Sequence, residues 1–140
     1  MIEIDGWLAD TSRRIYPGSR PENRRALHID LLRGERGSFQ VAFRTGADPI
    51  TVEARVDGPE GIDARVRRLG YVPMAHLNAG VAPEALEGIA HIPGYVPDPL
   101  FPETTVQAGP FETNSFWVSL LIDPDCPAGE HALTITLSGA

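Results

Sequence analysis

The chain has 140 residues, of which 42% are hydrophobic, and this is enough for one closed core, so we expect a single domain over residues 1–140. The formal net charge is −7 at pH 7, which argues against a nucleic-acid partner because affinity for a phosphate backbone rests on Lys and Arg. The N-terminus shows neither the basic nor the apolar region of a signal peptide, and no apolar run is long enough to span a membrane. We therefore expect no membrane partner and favour a cytoplasmic location.

Short stretches of alternating apolar and polar residues recur along the chain, and each predicts a half-buried β-strand. Clusters of Gly, Pro and Asp separate them, such as TGADP at 45–49 and DGPEG at 57–61. The seven predicted strands span residues 6–9, 26–32, 39–44, 50–57, 62–67, 115–122 and 131–138. Helical pattern is limited to one turn at 83–88. The sequence predicts an all-β fold, a two-sheet antiparallel β-sandwich of immunoglobulin-like or jelly-roll-like topology.

In each predicted strand the apolar residues lie on one face, which is expected to form the core. The charged residues suggest how one pair of strands is aligned. Apolar residues in a single phase predict a core that includes Phe39, Val41, Phe43, Val52, Val118, Leu120, Leu133 and Ile135. If the strands around DGPEG form a direct hairpin, charge complementarity pairs Arg55 with Asp63 and Glu53 with Arg65. The arginines of the second strand are then expected in cross-strand ion pairs.

Residues 73–110 depart from this regular pattern. They hold seven of the thirteen prolines and are longer than an ordinary connection inside a compact domain. Their apolar residues are too numerous for a disordered linker. We therefore expect one long, ordered, Pro-rich loop, whose prolines lower the conformational entropy of the unfolded chain.

Four segments of the chain resemble the N-terminal β-sandwich domain of glycoside hydrolase family 123 and of related bacterial proteins with glycoside-hydrolase-like C-terminal barrels. The segments are LRGERGSFQVAFR within residues 31–44, RRLGYVP at 67–73, IPGYVPDPLFP at 92–102 and FWVSLLIDPDCPAGEHALTITL at 116–137. The first and third are the more specific. A PAG turn before a strand also occurs in many other sandwich families.

This resemblance implies a noncatalytic accessory module that packs on a C-terminal catalytic barrel of the same polypeptide. In that family the catalytic acid and its partner carboxylate belong to the barrel, so no catalytic, cofactor-binding or metal-binding residue is transferred to this chain. We expect the chain alone not to be an enzyme and to be the N-terminal piece of a larger protein. Two alternatives remain open: an independent carbohydrate-binding module, and an adhesion or interaction sandwich unrelated to sugars.

The docking surface for such a barrel is expected in the middle of the long loop. There the family-like GYVPDPL motif coincides with apolar residues set among rigid prolines, and rigid loops lose less entropy on binding. The residues expected at its centre are Tyr95, Pro97, Asp98, Leu100 and Phe101.

Two sets of residues carry side chains of the kind that bind metal ions. Asp123, Asp125 and Glu130 could offer oxygens to calcium, but their spacing lacks the EF-hand pattern. Aspartates in such a turn more often accept hydrogen bonds from local backbone amides, which is the interpretation we favour. The four histidines are scattered without the spacing of zinc ligands.

Other polar and aromatic residues are weaker candidates still. Glycoside hydrolysis needs two carboxylates at a controlled separation, and nothing in the sequence brings together the three best placed, Glu35, Asp98 and Glu103. Tyr95 and Phe101 could stack on a sugar ring, whereas aromatic residues within strands, such as Trp117, more often belong to the core. Cys126 is expected to be an ordinary turn residue.

Overall fold

The computed structural model describes residues 3–77 and 80–140. Its eight strands are β1 (Ile4–Ala9), β2 (Arg36–Thr45), β3 (Ile50–Asp57), β4 (Ile62–Met74), β5 (Gly94–Phe101), β6 (Thr105–Ala108), β7 (Thr113–Ile122) and β8 (Thr134–Gly139). Two short 3-10 turns lie at Pro83–Ala85 and Ile89–His91. Within these described ranges, no helix has the length and apolarity needed to cross a membrane.

The strands form two antiparallel sheets, as the sequence predicted. One has five strands in the order β1-β2-β7-β4-β5, and the other has three in the order β6-β3-β8. Three antiparallel pairs are nested along the chain: β4 with β5, β3 with β6, and β2 with β7. Nested pairs that alternate between two sheets are typical of a jelly roll. The next pair of that series would join β1 to β8, but β1 pairs with β2 instead.

The core lies between the sheets and follows the strand phases. Six of the eight predicted core residues are buried, with Phe43, Phe116 and Val118 at 0% exposure in the same cluster. The other two, Leu133 and Ile135, are half-buried and pack against this cluster from the rim of the three-stranded sheet. A second, smaller buried cluster lies on the outer side of the five-stranded sheet and contains Trp7, Ala9, Ile15 and Ala42.

The predicted strand at 26–32 is wrong. After Leu8 N donates to Arg24 O at 2.8 Å, the segment runs beside β1 without forming a ladder. Most of its side chains are exposed, so its weak alternation had no sheet to bury against. It forms part of the rim of the sandwich instead.

The prediction of one long loop over residues 73–110 is wrong, because this range contains two strands, β5 and β6, that alternation did not reveal. β5 includes Pro97 and Pro99, which cannot donate to a ladder. Prolines are tolerated here because β5 is at the edge of its sheet and its register with β4 shifts between Leu69 and Tyr71.

The direct hairpin on which the charge pairing around DGPEG depends does not form, because β3 and β4 belong to different sheets. Arg55 therefore cannot face Asp63, and it bonds Asp57 of its own strand at 2.9 Å. The pairing of Glu53 with Arg65 fails for the same reason. The turn carries the chain from one sheet to the other, a crossing that charge pattern alone does not specify.

Candidate interdomain docking site

Three of the predicted docking residues lie on the outer face of the five-stranded sheet. Tyr95, Pro97 and Leu100 lie opposite every second residue of β4 from Pro73 to Leu69. Residues directly opposite in an antiparallel pair point to the same face. The other phase of β4 packs its apolar side chains, such as Ile62 and Val66, into the core, so these three side chains point away from it.

We refer to Tyr95, Pro97 and Leu100 as the β5 patch. Tyr95 is 57% exposed and Leu100 is 42% exposed, so the patch presents large apolar side chains to solvent. Pro97 between them is half-buried. Because β5 is an edge strand, the patch lies along one side of the molecule, where a partner can approach without displacing any strand.

Phe101 and Asp98 are placed differently. Phe101 lies opposite Arg68, whereas Tyr95 lies opposite Pro73. Because Arg68 and Pro73 are an odd number of residues apart on β4, the Phe101 and Tyr95 rings are on opposite faces of the sheet. The Arg68 guanidinium stacks over the Phe101 ring at 4.2 Å and lies 3.8 Å from the Glu103 carboxylate. Asp98 is exposed at the register shift. Tyr95 and Phe101 therefore do not form one flat platform for a sugar.

A clasp of side chains, which the sequence did not reveal, fixes the segment that leads into β5. The Tyr16 ring stacks on His91 with 3.6 Å between centroids and 2° between planes. Gly88 has a φ of 76°, and a Cβ at this position would clash with the Tyr16 hydroxyl oxygen. Arg14 lies 3.4 Å from Glu87. In the sequence, this contact was indicated only by the aromatic residue Tyr16 in a turn that is otherwise polar and rich in Gly and Pro.

Tyr71, on the neighbouring strand β4, holds the β5 patch in place. It lies opposite Pro97, and its hydroxyl donates to the carbonyl oxygen of Thr113 at 2.8 Å, which ties β4 to β7. Burial raises the pKa of the Tyr71 hydroxyl well above its usual range, and the nearby negative charge of Glu112 adds to this. The hydroxyl thus remains a hydrogen-bond donor at physiological pH.

Two of the three candidate carboxylates for glycoside hydrolysis, those of Glu35 and Glu103, lie at opposite ends of β7. The Glu35 carbonyl accepts from the Ile122 amide at one end of β7. The Glu103 carbonyl accepts from the Arg68 amide, and Arg68 lies opposite Phe116 near the other end. Six residues of strand separate these points by roughly 20 Å. Glycosidases hold their two carboxyl groups roughly 5–10 Å apart, so this pair cannot share a bond.

The acidic turn and the histidines have local roles. The Asp123 carboxylate accepts from the Asp125 amide at 2.8 Å, which confirms the predicted turn bond. Over the part of the chain that is described, no three His, Cys, Asp or Glu residues are placed to hold a metal ion. His131 Nε2 lies 2.8 Å from the Pro127 carbonyl oxygen and 3.9 Å from Cys126 Sγ. A carbonyl only accepts, so this nitrogen carries the hydrogen and cannot take the thiol proton.

No family model and no curated protein matches this chain. A solved structure, that of a family 123 glycoside hydrolase from Clostridium perfringens studied for glycolipid glycan hydrolysis, matches 98% of the chain with a TM-score of 0.63 at 11% identity. The match covers 24% of the hydrolase chain, so this chain spans about a quarter of that protein's length. At this identity the likeness establishes a shared fold.

Proposed function

We propose that this chain is a noncatalytic β-sandwich module of a larger carbohydrate-active protein and that it packs on the catalytic barrel of the same polypeptide. The observation that carries the proposal is the one-sided coverage of the structural match. Almost all of this chain, 98%, aligns with only 24% of a glycoside hydrolase chain. A sandwich that matches so small a part of a hydrolase suggests a component of such a protein, with the chemistry assigned to the remainder.

The β5 patch is the surface we assign to this contact. Its exposed Tyr95 and Leu100 contrast with the outer face of the three-stranded sheet, where β8 presents Thr134, Thr136 and Ser138. Aromatic residues and rigid backbone at the centre of a contact contribute most to association, because little conformational entropy is lost. The prolines of β5 supply that rigidity. Asp98 and Phe101, which we predicted at the centre of the docking surface, lie outside the β5 patch, Asp98 at the register shift and Phe101 on the opposite face of the sheet.

Coding sequence and activity together test the modular role. The reading frame should continue past the codon for Ala140 into a barrel domain with paired carboxylates. The purified 140-residue chain should release no chromophore from chromogenic N-acetylhexosaminides, because the proposal assigns the catalytic carboxylates to the barrel. A stop codon after Ala140, or turnover that persists through successive purification steps, would overturn the proposal.

Substitutions test the assigned surface. With the barrel expressed separately, Tyr95→Ala combined with Leu100→Ala should raise the Kd for the 140-residue chain about tenfold or more, which corresponds to about 1.4 kcal/mol. Thr134→Ala combined with Thr136→Ala, on the polar outer face of β8, serves as the matched control and should change the Kd less than twofold, an effect of about 0.4 kcal/mol. Calorimetric titration measures both. Equal losses from the two double variants would place the contact elsewhere.

A further inference from the structure

The four edge strands of this sandwich differ in how they are protected. β5 carries Pro97 and Pro99, β6 has only four residues, and the edge of β1 accepts no further strand where Leu8 bonds Arg24. β8 has none of these features. Its six residues, TITLSG, contain no proline and no charge. Natural proteins usually block such an edge, because unpaired backbone groups bind any compatible strand.

The backbone of β8 leaves a regular row of groups without a partner among the described residues. Thr51 and Ala140 exchange both of their backbone bonds at 3.0 Å, which fixes the alternation along the β3–β8 pair. In an antiparallel ladder only every second residue bonds the neighbouring strand. Ser138 and Thr136 therefore bond β3, while the amides and carbonyls of Leu137 and Ile135 point to the open side.

A cleft of about 1520 Å³, lined by apolar and polar side chains in nearly equal measure, lies along this open side. Its walls are the rim segment at 24–33 and the chain from 126 to 137, and its floor includes Phe39, Leu120 and Ile122. Ile29 and Leu32, which are 37% and 76% exposed, belong to the rim segment. The cleft occupies the position beside β8 that the nested strand order would fill with β1.

We propose that this cleft accepts one extended, uncharged peptide strand, which pairs antiparallel with β8 and directs alternate apolar side chains between the two sheets. The antiparallel direction follows from the nested series of pairs. The neutral chemistry follows from the walls, where β8 has no charged residue and the charges of the other lining residues are close to balanced. The arginines at 24 and 25 pair with Asp10 and Asp5, and His28 lies 3.1 Å from Asp30. The remaining two charges, on Arg33 and Glu130, are of opposite sign. Addition of a strand to an open edge is a general mode of peptide recognition.

A second copy of the chain does not satisfy the same site. Its own β8 directs Ile135 and Leu137 toward its own core, where they pack against the buried cluster. Those side chains cannot also fill the cleft of a partner. Edge-to-edge pairing of two six-residue strands would also leave the floor of the cleft uncovered. The occupant must therefore be a segment that is free of its own sheet.

Titration of the protein with a synthetic peptide tests this site. The probe is LTITLSG, the sequence of residues 133–139, added to the isotopically labelled chain and followed by amide chemical shifts. The largest shifts should be at Ile135 and Leu137, and these two amides should become protected from hydrogen exchange. Unchanged shifts at millimolar peptide, or shifts centred on the β5 patch, would overturn the proposal.

N-methylated probes separate strand pairing from simple apolar adsorption. One peptide is methylated on its odd-numbered amides and another on its even-numbered amides, so each blocks one edge of the added strand. One of the two should lose at least tenfold in affinity while the other binds as the parent does. Equal affinities for both peptides would show that no ladder forms, and this test needs no variant of the protein.

Two proline variants complete the test on the protein side. Ile135→Pro removes an N–H on the open side of β8 and should abolish peptide binding in a chain that still unfolds cooperatively. Thr136→Pro removes an N–H that bonds β3 and should lower the unfolding midpoint further. If sedimentation shows a dimer that Ile135→Pro abolishes, the edge belongs to a second copy and the proposal fails.

Discussion

Leu120 is a large core side chain whose two neighbours on the adjacent strands are small, so it contributes strongly to packing. On β7 it lies between Gly37 of β2 and Ala64 of β4, and it is 6% exposed. Neither neighbour can move a side chain into the space that a smaller residue would leave. The side chain of Leu31 lies over Gly37, so packing at this position rests on Leu120 and Leu31.

Replacing Leu120 with Ala should lower the free energy of unfolding by roughly 2–5 kcal/mol, because the transfer energy is lost and a cavity remains. Urea unfolding followed by far-UV circular dichroism measures the loss. Leu121→Ala, on the opposite face of the same strand and half-buried, is the matched control and should cost less. A loss near zero at Leu120 would show that the core lies on the other face of β7.

Alanine substitutions at Gly88 and Gly34 distinguish the stability cost of backbone strain from the cost of a steric clash. Both have positive φ, 76° and 73°, but only Gly88 has an atom within reach of an added Cβ. Gly34→Ala should cost roughly 1–2 kcal/mol from conformation alone. Gly88→Ala should cost more, because it also displaces the Tyr16 ring from His91. Equal losses in parallel urea titrations would show that the clasp does not contribute.

Asp10 gives a pH-dependent prediction. The hydrogen bond from the Ser12 side chain lowers the pKa of the Asp10 carboxyl below 3.8, and Arg24 adds to the effect. A group whose pKa is depressed on folding stabilises above its unfolded pKa, and that stability is lost as the pH falls through the folded value. Ser12→Ala should therefore be less stable than the wild type at pH 6, with the difference shrinking below about pH 4. A constant difference across this range would contradict the assignment.

Among the elements, β7 and β5 lie at opposite extremes of protection. β7 is paired on both sides, by β2 and β4, whereas β5 is paired only with β4 and contains two prolines and a register shift. Edge elements with few bonds open locally at a lower free energy than the whole domain unfolds.

Hydrogen exchange should show this difference directly. The amides of Val118 and Leu120 should exchange roughly 100-fold or more slowly than those of Val96 and Leu100, because the former require global opening. Exchange monitored by two-dimensional NMR at a pH near neutrality gives all four rates in one sample. Comparable rates in the two strands would mean that β5 is as firmly bound as the centre of the sheet.

The alternation of apolar and polar residues predicted the strands that bury one face in the core. It did not reveal strands whose side chains are only weakly buried. β2, β3 and β7 were located within a few residues because their apolar phases meet the core. β5 was missed because its sequence, with two prolines and several partly exposed residues, does not alternate between apolar and polar side chains. The family-like loop identified the residues of the β5 patch, but the opposite orientation of Phe101 depends on a register shift that no local pattern encodes.

Large exposed apolar side chains lie at several places on the molecule, among them Leu32, Phe111, Tyr95 and Leu100. The outer face of the three-stranded sheet is polar along β8, whereas the outer face of the five-stranded sheet presents Tyr95 and Leu100 at its edge. Exposed apolar side chains grouped on one side of a domain are typical of contact surfaces. We propose that the β5 patch is such a surface.

The most direct test compares hydrogen exchange in the 140-residue chain and in the polypeptide that continues into the catalytic barrel. Mass spectrometry of peptic fragments reports each strand in both samples. Residues 94–101 should gain protection in the longer polypeptide, while residues 50–57 in the three-stranded sheet should not change. Unchanged exchange at 94–101, or protection gained equally by both strands, would contradict the claim that this module docks through β5.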